Sequence, residues 1–157
     1  MHKKILIYII LTLSLSCNGS DDFDNWEKAQ QLYNDKEFNN CLVILNNIVN
    51  TSSSSDYVTK SLFLISEIYL NEFKNYDITI EFLNKIIWDY PSSDLAKRSL
   101  FTKAYINSNY IQSYTESREL YNQFLLKYPS DDLVPSVEYE LKELDKHNST
   151  IQNLLNK

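Results

Sequence analysis

The sequence predicts an all-α fold, a superhelix of antiparallel helix hairpins with about three repeats and a closing helix. Three observations carry this expectation. The stretch DYPSSDLAKRSLF at 89–101 returns as KYPSDDLVPSVEY at 127–139, and fixed-period self-similarity marks a repeated structural unit. Within one copy, Val58, Leu62, Ile65, Tyr69 and Phe73 fall on one stripe of a helical period. The chain has 157 residues with one glycine and three prolines, too few for a turn-rich β fold and compatible with helices joined by short turns.

The N-terminus reads as a targeting segment. Residues 1–4 (MHKK) form a basic region, Ile5 to Leu15 an apolar run, and Ser16-Cys17 follows at once. A spanning helix needs about 20 apolar residues, more than this run supplies, so a permanent transmembrane anchor is the weaker reading. The run Leu13-Ser14-Leu15-Ser16-Cys17 resembles a bacterial lipobox, which implies a signal peptide over 1–16 and a lipidated Cys17. Ordinary secretory cleavage, leaving a free thiol, is the competing reading. Two acyl chains on one cysteine hold a protein stably on a bilayer. Residues 17–22 then read as a polar, acidic tether.

The repeat region is expected over 23–144 and a tail or capping helix over 145–157. Aligned at a shift of 38, Leu45–Phe63 lies over Leu83–Phe101, which lies over Tyr121–Tyr139. Tyr76, Ile80, Leu83 and Ile87 form the apolar stripe of a second helix after that of Val58 to Phe73, and two such stripes in succession make an antiparallel hairpin. The hairpin turns are NDKE (34–37), NEFKN (71–75) and NSNYIQS (107–113), where asparagine is expected to take the left-handed conformation that glycine would otherwise supply. Between hairpins, Pro91 stops the helix that ends at Tyr90, and Ser92 or Ser93 caps the next, with Asp94 at its positive end. Pro129, Ser130 and Asp131 repeat this, and Pro135 falls near the first turn of the last repeat helix. In the tail, Ser149 or Thr150 is a candidate cap for a short terminal helix with Ile151, Leu154 and Leu155 on one face.

A bulky aromatic opens the second helix of each unit at Phe38, Tyr76 and Tyr114, and a small residue follows three later at Cys41, Thr79 and Ser117. Proline closes the unit at Pro91 and Pro129. On the first helix, Trp26, Phe63 and Phe101 take a large position, and Ala29, Ser66 and Ala104 a small one, with the first repeat shortened by one residue. This pattern resembles the tetratricopeptide repeat. With the lipobox, the Tyr-Pro junction also resembles the BamD-like outer-membrane lipoproteins and the Tol-Pal accessory proteins of the YbgF type.

Catalytic chemistry finds little support. His147 stands alone beside Lys146 in a polar tail, and one histidine does not make a zinc site. Cys41 occupies a small-residue position, as a packing cysteine would. The repeats contain no glycine for a phosphate-cradling loop, and no pair of carboxylates stands out from solvated helix faces. Asn148-Ser149-Thr150 matches a glycosylation pattern that a bacterial envelope would leave unused. Removing residues 1–16 takes away Lys3 and Lys4 and moves the formal net charge from −6 to −8, which disfavours nucleic acid. No catalytic residue, metal or cofactor is therefore expected.

The inner face of such an array, lined by the first helices, is where a partner is expected to bind. The register places Trp26, Tyr33, Lys60, Glu67, Arg98, Tyr105 and Ser108 near it. The resemblance implies a non-catalytic, lipid-anchored scaffold on the periplasmic face of the outer membrane, binding an envelope protein or peptide segment in outer-membrane protein assembly. The alternative is a Tol-Pal or cell-wall accessory protein that positions or regulates a peptidoglycan enzyme.

Overall fold

The computed structural model describes residues 18–155, so segment 1–16, read as a signal peptide, and Cys17 lie outside the described residues. The fold is all-α and of the tetratricopeptide-repeat type. Among the described residues the chain runs through α1 (Asn18–Asn34), α2 (Phe38–Thr51), α3 (Ser55–Asn71), α4 (Tyr76–Asp89), α5 (Asp94–Ile106), a π-helical turn (Asn107–Ile111), α6 (Tyr114–Lys127) and α7 (Val134–Leu155). Two compact units divide it, Met1–Ser61 and Leu62–Lys157, with the boundary inside α3.

The two Tyr-Pro junctions between hairpins are copies of one another in backbone terms. Tyr90 and Tyr128, at equivalent places in successive repeats, close α4 and α6 with nearly the same angles, φ −130° and ψ 51° against φ −131° and ψ 57°. Each donates its N–H to the carbonyl one helical turn back, Tyr90 to Ile86 at 3.1 Å and Tyr128 to Phe124 at 2.8 Å. The following proline holds its predecessor out of the helical region. Of the two serines that could cap α5, Ser93 does so, its Oγ accepting from Leu95 N–H at 3.2 Å. Asp131, at the equivalent place, accepts from Leu133 N–H at 3.0 Å and pairs with Lys97 of α5 at 2.9 Å. These bonds hold the Asp131 carboxyl below its ordinary range.

The turns within hairpins correct one expectation. Asparagine does not supply the left-handed residue; Lys36 (φ 61°), Lys74 (φ 51°) and Gln112 (φ 62°) do, and they too recur at the repeat period. Asn75 is used instead as the cap of α4, accepting from Ile78 N–H at 3.2 Å, and Asn107 is buried in the π-helical turn. The same N–H closes each turn: Glu37 to Leu32 O at 2.8 Å, Asn75 to Tyr69 O at 2.9 Å, Ser113 to Asn107 O at 2.8 Å. The first acceptor step, Leu32 to Tyr69, is one shorter than the second, Tyr69 to Asn107, which locates the residue missing from the first repeat. A left-handed conformation costs an L-residue about 1–2 kcal/mol, a penalty glycine escapes. Lys74→Gly and Gln112→Gly are therefore each expected to raise the stability of the second unit by about 1 kcal/mol in urea denaturation. An equal gain from Lys74→Ala would show that charge, not backbone, is responsible.

In the first unit, α1 packs on α2. Cys41 Sγ donates to Ala29 O at 3.2 Å, and both residues are fully buried, as two small positions meeting across a hairpin should be. Burial pushes the thiol up to about 11, which leaves it protonated and unreactive at neutral pH. The segment read as a tether is helical from Asn18, and Asp22 is buried, its Oδ2 accepting from Ser52 Oγ at 2.6 Å. Ser52 Oγ in turn accepts from Ser54 N–H at 3.0 Å, so Asp22 braces the one junction that has no proline. Polarity suggested solvation there; a partner far along the chain, beyond the whole of α2, changes the outcome.

The second unit is built around Ile87, Leu100, Ala104, Tyr121, Phe124, Val137 and Leu144, drawn from α4, α5, α6 and α7. Ser117 Oγ donates to Ala104 O at 2.8 Å, the counterpart of the Cys41–Ala29 contact. Phe73, expected on the core stripe, is 43% exposed because α3 ends at Asn71 and the chain has already turned. Helix α7 runs through Ser149 without a break; Ser149 Oγ donates back to Lys146 O at 2.8 Å, so it does not start a separate helix. The face expected from Ile151, Leu154 and Leu155 lies outside the side chains described.

Candidate partner-binding face

In the second unit, Phe63 and Glu67 stand one turn apart on α3, and Arg98 reaches them from α5. The Arg98 guanidinium lies 5.1 Å from the centre of the Phe63 ring. Burial raises the Glu67 carboxyl above its ordinary range, and the Arg98 charge pulls it part of the way back. Arg98 is exposed and Glu67 half-buried, so the pair leaves a guanidinium edge open to solvent on an aromatic base. A guanidinium held in this way can donate two parallel N–H bonds to a carboxylate or to backbone carbonyls of a partner.

An aromatic run continues along α5 and the π-helical turn. The rings of Phe101 and Tyr105 are 6.4 Å apart, those of Tyr105 and Tyr110 6.2 Å, and Tyr110 stacks on Tyr76 at 4.8 Å. Tyr76 opens α4, so the aromatic that starts a second helix rests on the end of the following first helix. Tyr114 repeats this against His147 at 4.3 Å. His147, read as a solvated side chain, is exposed and has this ring as its neighbour. Tyr110 and Ile111 remain 45% and 41% exposed, which leaves apolar surface at the hairpin end.

The seven residues named from the register are distributed as follows. The Arg98 charge acts on Glu67, and Tyr105 joins the aromatic run. Ser108 is half-buried in the π-helical turn. In the first unit, Trp26 and Tyr33 are half-buried on α1, and Tyr33 meets Phe38 edge-on at 5.8 Å. Lys60 is held on its own helix by Asp56 at 2.6 Å and lies 5.5 Å over Tyr57. Sequence reasoning missed Asn109 and Tyr110, which meet Tyr105 from the turn, and Glu140 of α7, which the Asn109 amide reaches. The signal for Tyr110 was present in NSNYIQS, where two apolar residues sit in a stretch otherwise polar.

Among the described residues, no group of three or more His, Cys, Asp and Glu side chains converges to hold a metal ion, and no helix is long and apolar enough to cross a membrane. No curated protein matches the chain. Residues 60–93 match the family model described as Tetratricopeptide repeat, a span that starts at Lys60 on α3 and includes all of α4 and the Tyr90-Pro91 junction. A repeat of this kind is a protein-interaction scaffold, commonly for protein or peptide partners. The chain thus carries a tetratricopeptide repeat, placed where the repeat period, the small-residue contacts and the Tyr-Pro junction had located one.

Proposed function

We propose that this protein is a non-catalytic, lipid-anchored scaffold of the bacterial envelope, held at the periplasmic face of the outer membrane through Cys17, which binds another envelope protein in outer-membrane protein assembly. The observation that carries the binding role is the Phe63–Glu67–Arg98 group on α3 and α5, a charged and aromatic cluster with an exposed guanidinium. Arginine and aromatic side chains dominate binding energy at protein interfaces. The lipobox-like run ending at Cys17 supports the anchor, and the acidic mature chain suits a partner that is not nucleic acid.

Crosslinking capture of the lipidated protein from its own membranes is expected to recover a stoichiometric envelope partner, with recovery falling at least tenfold for Arg98→Glu. A barrel-assembly component favours the assembly role; a Tol-Pal component or peptidoglycan enzyme favours the cell-wall alternative. Recovery of the protein alone, or capture indifferent to Arg98→Glu, would overturn the binding role. Cys17→Ala is expected to release the protein from membranes, and retained attachment would refute the anchor.

A further inference from the structure

The polar stretch expected to be a tether leaves no slack between Cys17 and the fold. Helix α1 begins at Asn18, the residue joined to Cys17 in sequence. Asp22, in the second turn of α1, is buried, and its carboxylate accepts from Ser52 Oγ at 2.6 Å. The helix is therefore tied to the junction between α2 and α3 almost from its start. With a rise of about 1.5 Å per helical residue and about 3.8 Å for the peptide unit before Asn18, Cys17 lies within about 10 Å of Asp22. A lipid on Cys17 would hold the first unit that close to the bilayer.

Phe23 follows Asp22 and is 50% exposed. Helical side chains lean towards the N-terminus of their own helix, so the Phe23 ring reaches back towards the end of α1 that adjoins Cys17. The polar headgroup layer on each side of a bilayer is about 5–8 Å deep. That depth is close to the height at which Phe23 would stand above a lipidated Cys17. The remaining space, about the diameter of one helix, favours the bilayer over a second protein as the neighbour of this ring. The charged side chains exposed nearby are Asp21, Asp24 and Glu27, with Lys28 beyond them. An anionic surface would repel this mainly acidic end, whereas a zwitterionic one leaves the apolar contact of Phe23 unopposed.

We propose that the N-terminal end of α1 docks on the membrane, with the Phe23 ring seated among the headgroups of a zwitterionic bilayer. The first unit then rests on the membrane surface instead of hanging from a flexible tether. This rests on the lipid anchor at Cys17 and specifies how the anchored chain meets its membrane.

The test uses the full lipidated chain on phosphatidylcholine vesicles. Cys41 is buried with its thiol protonated, and the Cys17 sulfur would carry the lipid, so Phe23→Cys and Asn39→Cys each add a single thiol open to a nitroxide label. The labelled side chain is apolar and about the size of a ring, so it takes the place of Phe23. Asn39 is exposed at the start of α2, at the opposite end of the same hairpin. Each label is compared for collision with oxygen, which concentrates in lipid, and with a nickel chelate, which stays in water. The oxygen-to-nickel ratio is expected to be at least fivefold higher at 23 than at 39, with thermal unfolding showing both variants folded. Equal, water-like ratios on protein that floats with the vesicles would overturn the docking and leave the anchor standing. High ratios at both positions would lay the whole hairpin in the interface and overturn the end-on arrangement. If the protein does not float with the vesicles, the anchor falls and the docking falls with it.

Discussion

Phe124→Ala is expected to destabilise the second unit by about 3–5 kcal/mol, the range for removing a fully buried aromatic from a packed core. Phe124 has no exposed surface, and its cluster draws on Leu100 and Ala104 of α5 and on Val137 and Leu144 of α7. With Tyr121, it is one of two fully buried aromatic side chains that α6 contributes to this core. Its ring also lies 5.2 Å from that of Tyr128, and its carbonyl accepts the Tyr128 N–H that closes α6 at the junction. Truncation would empty the core and loosen the residue that turns the chain towards α7. With a urea slope of about 1–3 kcal/mol/M, the midpoint should fall by more than about 1 M. Leu126→Ala, a little further along the same helix at 86% exposure, is the control and should change stability by less than about 0.5 kcal/mol. Equal effects from the two substitutions would mean that α6 does not face the core as described.

The contrast between Phe124 and Leu126 shows what periodicity could and could not supply. A helical stripe identifies which side of a helix is buried, and it placed Leu83, Ile87, Leu62 and Ile65 on the inside correctly. The junctions were legible for a different reason: proline restricts the backbone of the residue before it wherever it occurs, so Tyr90-Pro91 and Tyr128-Pro129 carry their geometry in the local sequence. The left-handed residues were not legible. Lys36, Lys74 and Gln112 have no preference for positive φ, and they adopt it because the helices on either side are already paired and the turn between them must close.

The binding face divides in the same way. Glu67 and Arg98 could be named because they sit on successive first helices, where register alone predicts a shared face. Glu140 could not be named. Its position is taken by Thr102 and Leu64 in the two preceding copies, so nothing in the repeat marks it as special. It becomes notable only when the Asn109 amide of the turn is seen to act on it. Asp22 is a similar case, since its partner Ser52 lies across a whole hairpin.

Ala104→Leu should cost the second unit about 2–4 kcal/mol, whereas the same residue introduced at the equivalent place one repeat later, Lys142→Leu, should change stability by less than about 0.5 kcal/mol. Ala104 is fully buried and its carbonyl receives the Ser117 hydroxyl, so α5 and α6 approach closely at that point. Extra methylene groups there would force the helices apart and break a hydrogen bond worth about 1 kcal/mol. Lys142 lies one repeat on, in the slot held by Ala104, and is exposed, as is Tyr139 at 61% in the slot held by Phe101. A leucine at that exposed position fills no packed space and forces no helix apart, so little stability is lost there. Urea denaturation of the two variants side by side decides the point. Similar losses for both would show that α7 packs on another element at Lys142.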